Sequence, residues 1–542
     1  MDFILRKIMA CCLLAMVFFS CTDTNEEFLG VVTSASPEAS EAGEEILKKG
    51  GNAIDAAIAV SFALAVTEPA MSGLGGGTQV LLSIKDQTPI AINGTTFSPQ
   101  GTIPSSGDTL TYHRRSTIPS TVKVLDYLYQ NYGSGKVSWE ELVQPAIAFA
   151  ENGFEIGPFR GKVYQKYEAK LQESPYNTSL FLIEGKAPKI GQRLKQPILA
   201  KTLKRLAKYG ADDFYKGEIA QAIASDMEKN NGWITLEDLQ NFKAPEELAP
   251  LSISYGNHNV YSQPPPCGGW TTLLIMKLIE AKSKGDQITA DDIIEALYLG
   301  QNDRRKHPVT NLIQYDSLVT EKLSERYVQQ LLAQVSDSVV NKEKRTKNSG
   351  ETTHFSVVDA SGTAISVTSS INAYFGSLAA SKELGFLYNS YMDDFTFEKP
   401  GHPFALRPNA MAYSSMSPTI VQNNGENVLV IGSPGSSRII SSVAQLTAKW
   451  IERQDISKII GETRVHVNRN RVYLEEKKDT ALVDTDLIEK YHLNFRFPDE
   501  SLILHQPLNP YYGGIHAIAK EKSSWMGVAD PRRDGVSIFV TD

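Results

Sequence analysis

The chain is poor in cysteine, in clustered positive charge and in long apolar runs, and each shortage removes a class of protein. Four cysteines occur in 542 residues. Cys11 and Cys12 lie in an apolar N-terminal run and Cys21 just after it, so only Cys267 remains in the body and no internal disulfide framework can form there. Cys267 sits in Gln263-Pro-Pro-Pro-Cys-Gly-Gly269 with no base beside it and reads as part of a rigid turn, not as a nucleophile. No block of lysine and arginine offsets the formal net charge of -8, which argues against nucleic acid as a partner. The nine histidines are scattered and no His-Glu-x-x-His or paired-cysteine spacing occurs, so neither a metal nor a nucleotide cofactor is expected.

With 42% hydrophobic and 21% charged residues, the chain is an ordinary globular protein large enough for an extensive core. Arg6 and Lys7 precede an apolar run from Ile8 to Phe19 that is short for a membrane span, and Ser20-Cys21 leads into a polar, acidic stretch. Residues 1–20 read as a lipoprotein signal peptide cleaved before Cys21, whose thiol takes lipid. Residues 21–38 then form a lipidated N-terminus and linker. The box Val17-Phe-Phe-Ser20 is looser than the usual small-residue pattern, so a plain signal peptide and an uncleaved anchor stay open. All three place the folded part outside the cytoplasm, in the periplasm or at the cell surface, attached to a membrane through its N-terminus.

A polar loop, Asn341 to Gly350, runs into strands at His354–Val358 and Thr363–Thr368 joined at Asp359-Ala-Ser-Gly362. If the chain is cut after Glu351, Thr352 becomes an N-terminus whose own amine serves as base to its hydroxyl. Taken alone, a surface loop entering a hairpin is the plainer reading.

Glu41–Lys48 reads as helix, Gly50-Gly51 breaks it, and Ala53–Val66 reads as a very apolar helix with a buried Asp55, packed inside the protein. The glycine loop Ser72–Gly77 leads from helix to strand, the wrong order for phosphate binding, and reads as close backbone packing. Helical spacing recurs at Leu142–Ala150, Pro197–Tyr209, Ile219–Lys229 and Asp291–Arg304, and short β-branched strands follow Thr352, ending at Gly535–Val540. A helix-rich first part and a strand-rich second part without a flexible linker suggest one intertwined unit.

These segments carry a resemblance. Gly50-Gly-Asn-Ala-Ile-Asp-Ala-Ala57, Glu68-Pro69 with Ser72–Gly77, Asp213-Phe-Tyr-Lys-Gly217, Pro264-Pro-Pro and Thr352-Thr-His-Phe-Ser-Val-Val-Asp359 occur in that order. Met392-Asp-Asp-Phe395, Ser414-Ser-Met-Ser-Pro418, Gly432-Ser-Pro-Gly-Ser-Ser-Arg438 and Asp530-Pro-Arg532 follow them. From about Ala39 to its end the chain resembles the γ-glutamyltransferases of the N-terminal-nucleophile hydrolase superfamily. The resemblance implies an α+β fold, a four-layer αββα sandwich. It also implies an autoprocessed precursor cut between Glu351 and Thr352 into a large subunit, residues 39–351, and a small subunit, residues 352–542.

The resemblance also assigns roles. Thr352 is the nucleophile, Ser370 supports it where the family has a threonine, and Gly435 and Ser436 turn two backbone N–H groups toward the oxyanion. Asn372 and Asp394 hold the substrate's α-amino group, and Ser414 and Ser415 contact its α-carboxylate. Two positions depart from the pattern. Thr95 stands where an arginine clamps that carboxylate, and Tyr391 where a glutamine or glutamate is usual. Arg114 or Arg115 is a substitute clamp only if it reaches inward, and surface placement is the plainer expectation. Thr95→Arg is expected to raise activity on γ-glutamyl anilides. The segment between Phe395 and Ser414 is shorter than in lid-bearing members, which implies an open cleft. His354 shares a strand face with Thr352 and reads as an active-site partner or a core histidine.

Three functions follow. The first is hydrolysis or transfer of γ-glutamyl amides such as glutathione, favoured by Asn372, Asp394, Ser414 and Ser415. The second is an acylase of the cephalosporin-acylase type with a non-glutamyl acyl donor, favoured by Thr95 and Tyr391. The third is a non-catalytic, lipid-anchored binding protein, against which Thr352, Thr353, Gly435 and Arg438 together argue.

Overall fold

A computed structural model of the chain describes residues 27–101, 110–243, 245–334, 351–396 and 401–542. The expected signal peptide, Cys21 and the loop 341–350 lie outside the described residues.

Two antiparallel sheets form the centre. The strands of the first are β1 (Phe28–Ser34), β2 (Gly77–Ser83), β3 (Ile90–Gly94), β4 (Glu246–Leu248), β7 (Thr353–Asp359), β8 (Ala364–Ser370) and β13 (Val536–Thr541). Those of the second are β5 (Leu251–Tyr255), β6 (His258–Ser262), β9 (Thr419–Asn423), β10 (Glu426–Gly432), β11 (His516–Glu521) and β12 (Ser524–Ala529). The spatial orders are β13-β1-β7-β8-β2-β3-β4 and β12-β11-β10-β9-β6-β5. Because every residue of β2, β7 and β8 is buried, these strands are covered on both faces.

One face of each sheet meets the other sheet. Val31, Leu81, Val358 and Ala364 of the first pack on Ile420, Val430 and Ile518 of the second. Helices cover the outer faces: α1 (Pro37–Lys48) and α2 (Ala53–Thr67) on the first sheet, and α3 (Gly269–Ser283) and α5 (Arg438–Arg453) on the second. α4 (Ala290–Lys306) packs on α3. The result is the expected four-layer αββα sandwich.

α2 starts where the sequence supplies both halves of a capping box. The Asn52 side chain accepts from the Asp55 N–H and Asp55 accepts from the Asn52 N–H, and all fifteen helical residues are buried. No helix among the described residues is long and apolar enough to cross a membrane.

One expectation needs correction. Residues 28–38 are not linker: Phe28–Ser34 is an inner strand between β13 and β7, and Pro37 already opens α1. The part before Glu351 is rich in helix and the part after it rich in strand, and the two are intertwined. Both sheets draw strands from before and after Glu351, because hydrogen-bonded neighbours in an antiparallel sheet need not be neighbours in sequence.

Acid sensitivity is built into this core. Burial pushes His466 and His516 down to about 3. A histidine of the unfolded chain protonates near pH 6.5, so between these values the unfolded state binds more protons. Stability then falls as acid is added, by about 1.4 kcal/mol per pH unit for each ring. Unfolding temperatures followed by circular dichroism should drop steeply between about pH 6 and about pH 4. His466→Gln should flatten that slope, and an already flat wild-type profile would contradict the neutral, buried rings.

Candidate active site

Thr352 is buried immediately ahead of β7, whose Thr353 pairs with Ser369 of β8. That register brings Ser370 beside Thr352, with the hydroxyls 3.4 Å apart. The Ser370 hydroxyl donates to the Glu351 carbonyl oxygen at 2.7 Å and accepts from the Asn372 N–H at 2.8 Å. It therefore holds and polarises the peptide bond that joins Glu351 to Thr352. Thr353 donates to Glu68 at 2.6 Å, and burial raises that carboxyl to about 7.

The glycine loop packs under this corner. A side chain on Gly76 would strike the Ser370 carbonyl oxygen, and one on Gly75 that of Leu387, so these glycines permit backbones to touch, as the loop's position predicts.

A chamber of about 40 Å³ opens at Thr352, lined also by Ser370, Asn372, Tyr391, Asp394, Ser414, Ser415 and Ser436. The structure thus gathers residues spread from Thr352 to Ser436. Asn372 has φ 77° and donates its amide to the Ser390 carbonyl at 3.0 Å. Tyr391 is buried, with its phenol hydrogen-bonded to Ser370. Gly435 (φ 120°) and Ser436 (φ 57°) form a left-handed turn between β10 and α5. Its N–H groups take no acceptor among the described residues. A free pair of N–H groups at a helix start suits an oxyanion.

Thr95 does not belong to this lining, which corrects its expected place in substrate binding. It is buried, and its hydroxyl donates to the Ala412 carbonyl at 3.0 Å. An arginine there would overpack a closed site, so Thr95→Arg is expected to destabilise the fold instead of raising activity. Arg114 lies over Trp233, away from the chamber. Arg115 bonds Asp393 through both Nε and Nη2 at 2.5–3.2 Å, on the outer side of the turn that carries Asp394.

A cation that the sequence did not reveal stands behind the chamber. Arg304, in the last turn of α4, is buried; Nη2 donates to the Ser414 carbonyl at 2.7 Å and Nη1 to the Ser415 hydroxyl at 3.2 Å. Its guanidinium lies 4.4 Å from the Tyr413 ring centre and has no carboxylate partner among the described residues. Because Ser415 receives a hydrogen bond from Arg304, its own O–H is free to donate into the chamber. In sequence, three basic residues ending a helix read as ordinary complements to its dipole.

His354 is a core histidine: it is buried and bonded to the Thr368 hydroxyl at 2.9 Å and the Ser356 hydroxyl at 3.2 Å. Burial holds it neutral, well below the usual range. Cys267 is buried too, and desolvation pushes its thiol pKa far up, which keeps it protonated and unreactive. No group of side chains suited to a metal occurs among the described residues.

The sequence model of gamma-glutamyltranspeptidase matches residues 39–540. The chain belongs to the gamma-glutamyltranspeptidase family. It is 36% identical over 463 residues to the glutathione hydrolase proenzyme of Escherichia coli K12, covering 78% of each chain. It is 30% identical over 516 residues to the capsule biosynthesis protein CapD proenzyme of Bacillus anthracis, covering 93% of this chain and 89% of that one. Among solved structures, the cephalosporin acylase from Bacillus halodurans superposes with a TM-score of 0.83 at 24% identity, over 95% of this chain and 96% of that one. That likeness speaks to the fold alone. Membership of the gamma-glutamyltranspeptidase family makes this chain an enzyme of the N-terminal-nucleophile type.

Proposed function

We propose that the protein cuts itself between Glu351 and Thr352 and then cleaves γ-glutamyl amides of the glutathione kind, passing the γ-glutamyl group to water or to an amine. The observation that carries this reading is the Ser370 hydroxyl, placed on the Glu351 carbonyl and beside the Thr352 hydroxyl.

In the first stage Thr352 Oγ1 bonds to the Glu351 carbonyl carbon, its hydroxyl proton passes to the Thr352 nitrogen, and the Glu351–Thr352 C–N bond breaks, giving an ester and a free Thr352 amine. Water hydrolyses the ester, releasing the Glu351 carboxylate and restoring the Thr352 hydroxyl. In the second stage that amine takes the hydroxyl proton while Oγ1 attacks the γ-carbonyl, and returns it to the leaving amine as the amide C–N bond breaks. Water or a second amine then releases the γ-glutamyl group from Thr352. Asp394 and Asn372 suit the donor's α-ammonium; Ser414 and Ser415, backed by Arg304, suit its α-carboxylate.

The large and small fragments, divided at Thr352, remain partners, and the other partner is a small-molecule γ-glutamyl substrate. We also assign the protein to the periplasm or cell surface, anchored through lipid on Cys21; Cys21→Ser should move it from the membrane fraction to the soluble one. Tyr391 in the chamber favours a second reading, an acylase with a non-glutamyl acyl donor.

Intact mass and N-terminal sequencing of a version starting after Cys21, joined to assays on γ-glutamyl- and glutaryl-p-nitroanilide, test these readings. Two chains with N-terminal Thr352 and turnover of the γ-glutamyl donor are expected. Turnover of the glutaryl donor alone would replace the glutamyl reading with the acylase one, and one persistent chain would leave the binding-protein reading. Ser370→Ala should slow the cut about 100- to 1000-fold, as loss of an oxyanion-type donor does. A gel time course reads this, and an unchanged rate would remove Ser370 from the processing step.

A further inference from the structure

One corner of the sandwich is apolar, exposed and unused by the chemistry at Thr352. β13 and β12 are edge strands of the two sheets and meet along one side of the molecule, so side chains that face between the sheets come to the surface there. A side chain on Gly535 would strike His516, and one on Gly527 would strike Ser537 and Val31, which fixes how β11 and β12 lie over β13 and β1. In that alignment His516 pairs with Ala529, Ile518 with Gly527 and Lys520 with Trp525. Trp525 is thereby carried past Val31 toward the end where β1 begins and β13 finishes, the end of Phe28 and Phe539.

Three aromatic rings surface at this corner. Phe539 is 55% exposed, and its ring centre lies 4.9 Å from that of Phe28. Phe28 and Trp525 are half-buried, packed on the apolar seam of Val31, Val430 and Ile518. Lys520 lies over Trp525, 6.0 Å from the ring centre, and reaches Glu426 at 2.9 Å. Lys520, Lys522, Glu426, Glu27 and Asp542, at these strand ends, carry no positive excess. An apolar surface with a polar boundary suits the rings better than a polyanion does, and tryptophan and the stem of lysine settle at such boundaries.

The chain itself enters at this corner. Its Glu27 N–H donates to Asp542 at 2.8 Å, just ahead of β1. Cys21 stands six positions earlier, a reach of at most about 22 Å. Lipid on Cys21 would therefore keep the rings beside a bilayer, where the tether supplies a high effective concentration. Three rings fall far short of the about 800 Å² per partner that a stable protein interface buries. The chemistry lies at the opposite end: Gly30 pairs with Asp359, and Thr352 is seven residues back along β7, roughly 20 Å away.

We propose that Phe28, Phe539 and Trp525 seat the enzyme on the lipid surface that holds Cys21, standing it with its Thr352 end toward the water. This rests on the lipid anchor assigned to Cys21 and is independent of the acyl donor.

Tryptophan fluorescence tests it, because Trp139, Trp233, Trp270 and Trp450 are buried and Trp525 is the remaining one of five. The lipidated protein is placed on phosphatidylcholine vesicles with and without phosphatidylcholine bearing a doxyl quencher near the headgroup. Emission should fall with the quencher, and Trp525→Phe should abolish the fall. Phe539→Glu should still float with the vesicles, with quenching reduced at least about twofold, since a charge replaces the apolar contact. Its turnover of γ-glutamyl-p-nitroanilide and its circular dichroism should match wild type, which shows the fold intact. Protein that floats with Trp525 unquenched overturns the seat and leaves the anchor standing. Quenching untouched by Phe539→Glu also overturns the seat. Protein that stays in solution removes the anchor and the seat together. A dimer in detergent that Phe539→Glu splits gives the corner to a second copy instead.

Discussion

Thr352→Ala is expected to give a single uncut chain without amide-cleaving activity. The substitution removes the hydroxyl and one methyl and keeps the β7 register, so Ser370 still holds the Glu351 carbonyl and the fold should persist. What disappears is the atom that attacks both the chain's own peptide bond and the substrate. Loss of a nucleophile in hydrolases of comparable logic lowers turnover by on the order of a million-fold, which takes it below ordinary detection. Two readouts keep stability and chemistry apart: a native circular dichroism spectrum, and an intact mass without a break before residue 352. A variant that folds and is cut at the normal rate would sink the assignment of Thr352. Thr352→Ser keeps a hydroxyl and should be cut, though slowly.

The second large effect belongs to Arg304. Arg304→Gln should raise KM for γ-glutamyl-p-nitroanilide about 10- to 100-fold with kcat little changed, as expected when hydrogen bonding to a charged group is lost from ground and transition states alike. The carboxylate it supports belongs to the donor, so 4-aminobutyryl-p-nitroanilide, which lacks that group, should lose much less. Arg304→Lys keeps the charge without the two-pronged grip on the Ser414 carbonyl and the Ser415 hydroxyl, and should fall between. Equal losses on both donors in a folded, cut protein would mean that Arg304 only props the wall.

The split between what was legible and what was not follows sequence distance. The glycines at Gly75 and Gly76, the apolar helix after Gly51 and the hairpin of β7 and β8 are local matters of backbone conformation and period, and the residues state them directly. The chamber's members were placed by resemblance, and the structure does bring Thr352, Ser370, Asn372, Tyr391, Asp394, Ser414, Ser415 and Ser436 to one wall. Thr95 failed because its alignment with an arginine says nothing about direction: its hydroxyl is spent on Ala412. Arg304 stayed hidden because its partners, Ser414 and Ser415, are 110 and 111 positions away. Strand β1 was hidden for another reason. Seven residues with a glycine, just after a polar stretch, have too little pattern to announce an inner strand.

That strand decides what kind of object the cut enzyme is. β1, from the N-terminal fragment, is stitched on one edge to β13 and on the other to β7, both from the C-terminal fragment. The two pieces are therefore dovetailed like a tenon between two cheeks. Neither can be drawn out without unzipping a sheet, so fragments made separately should not assemble by simple mixing, and the severed enzyme should travel through gel filtration as one body until it is denatured.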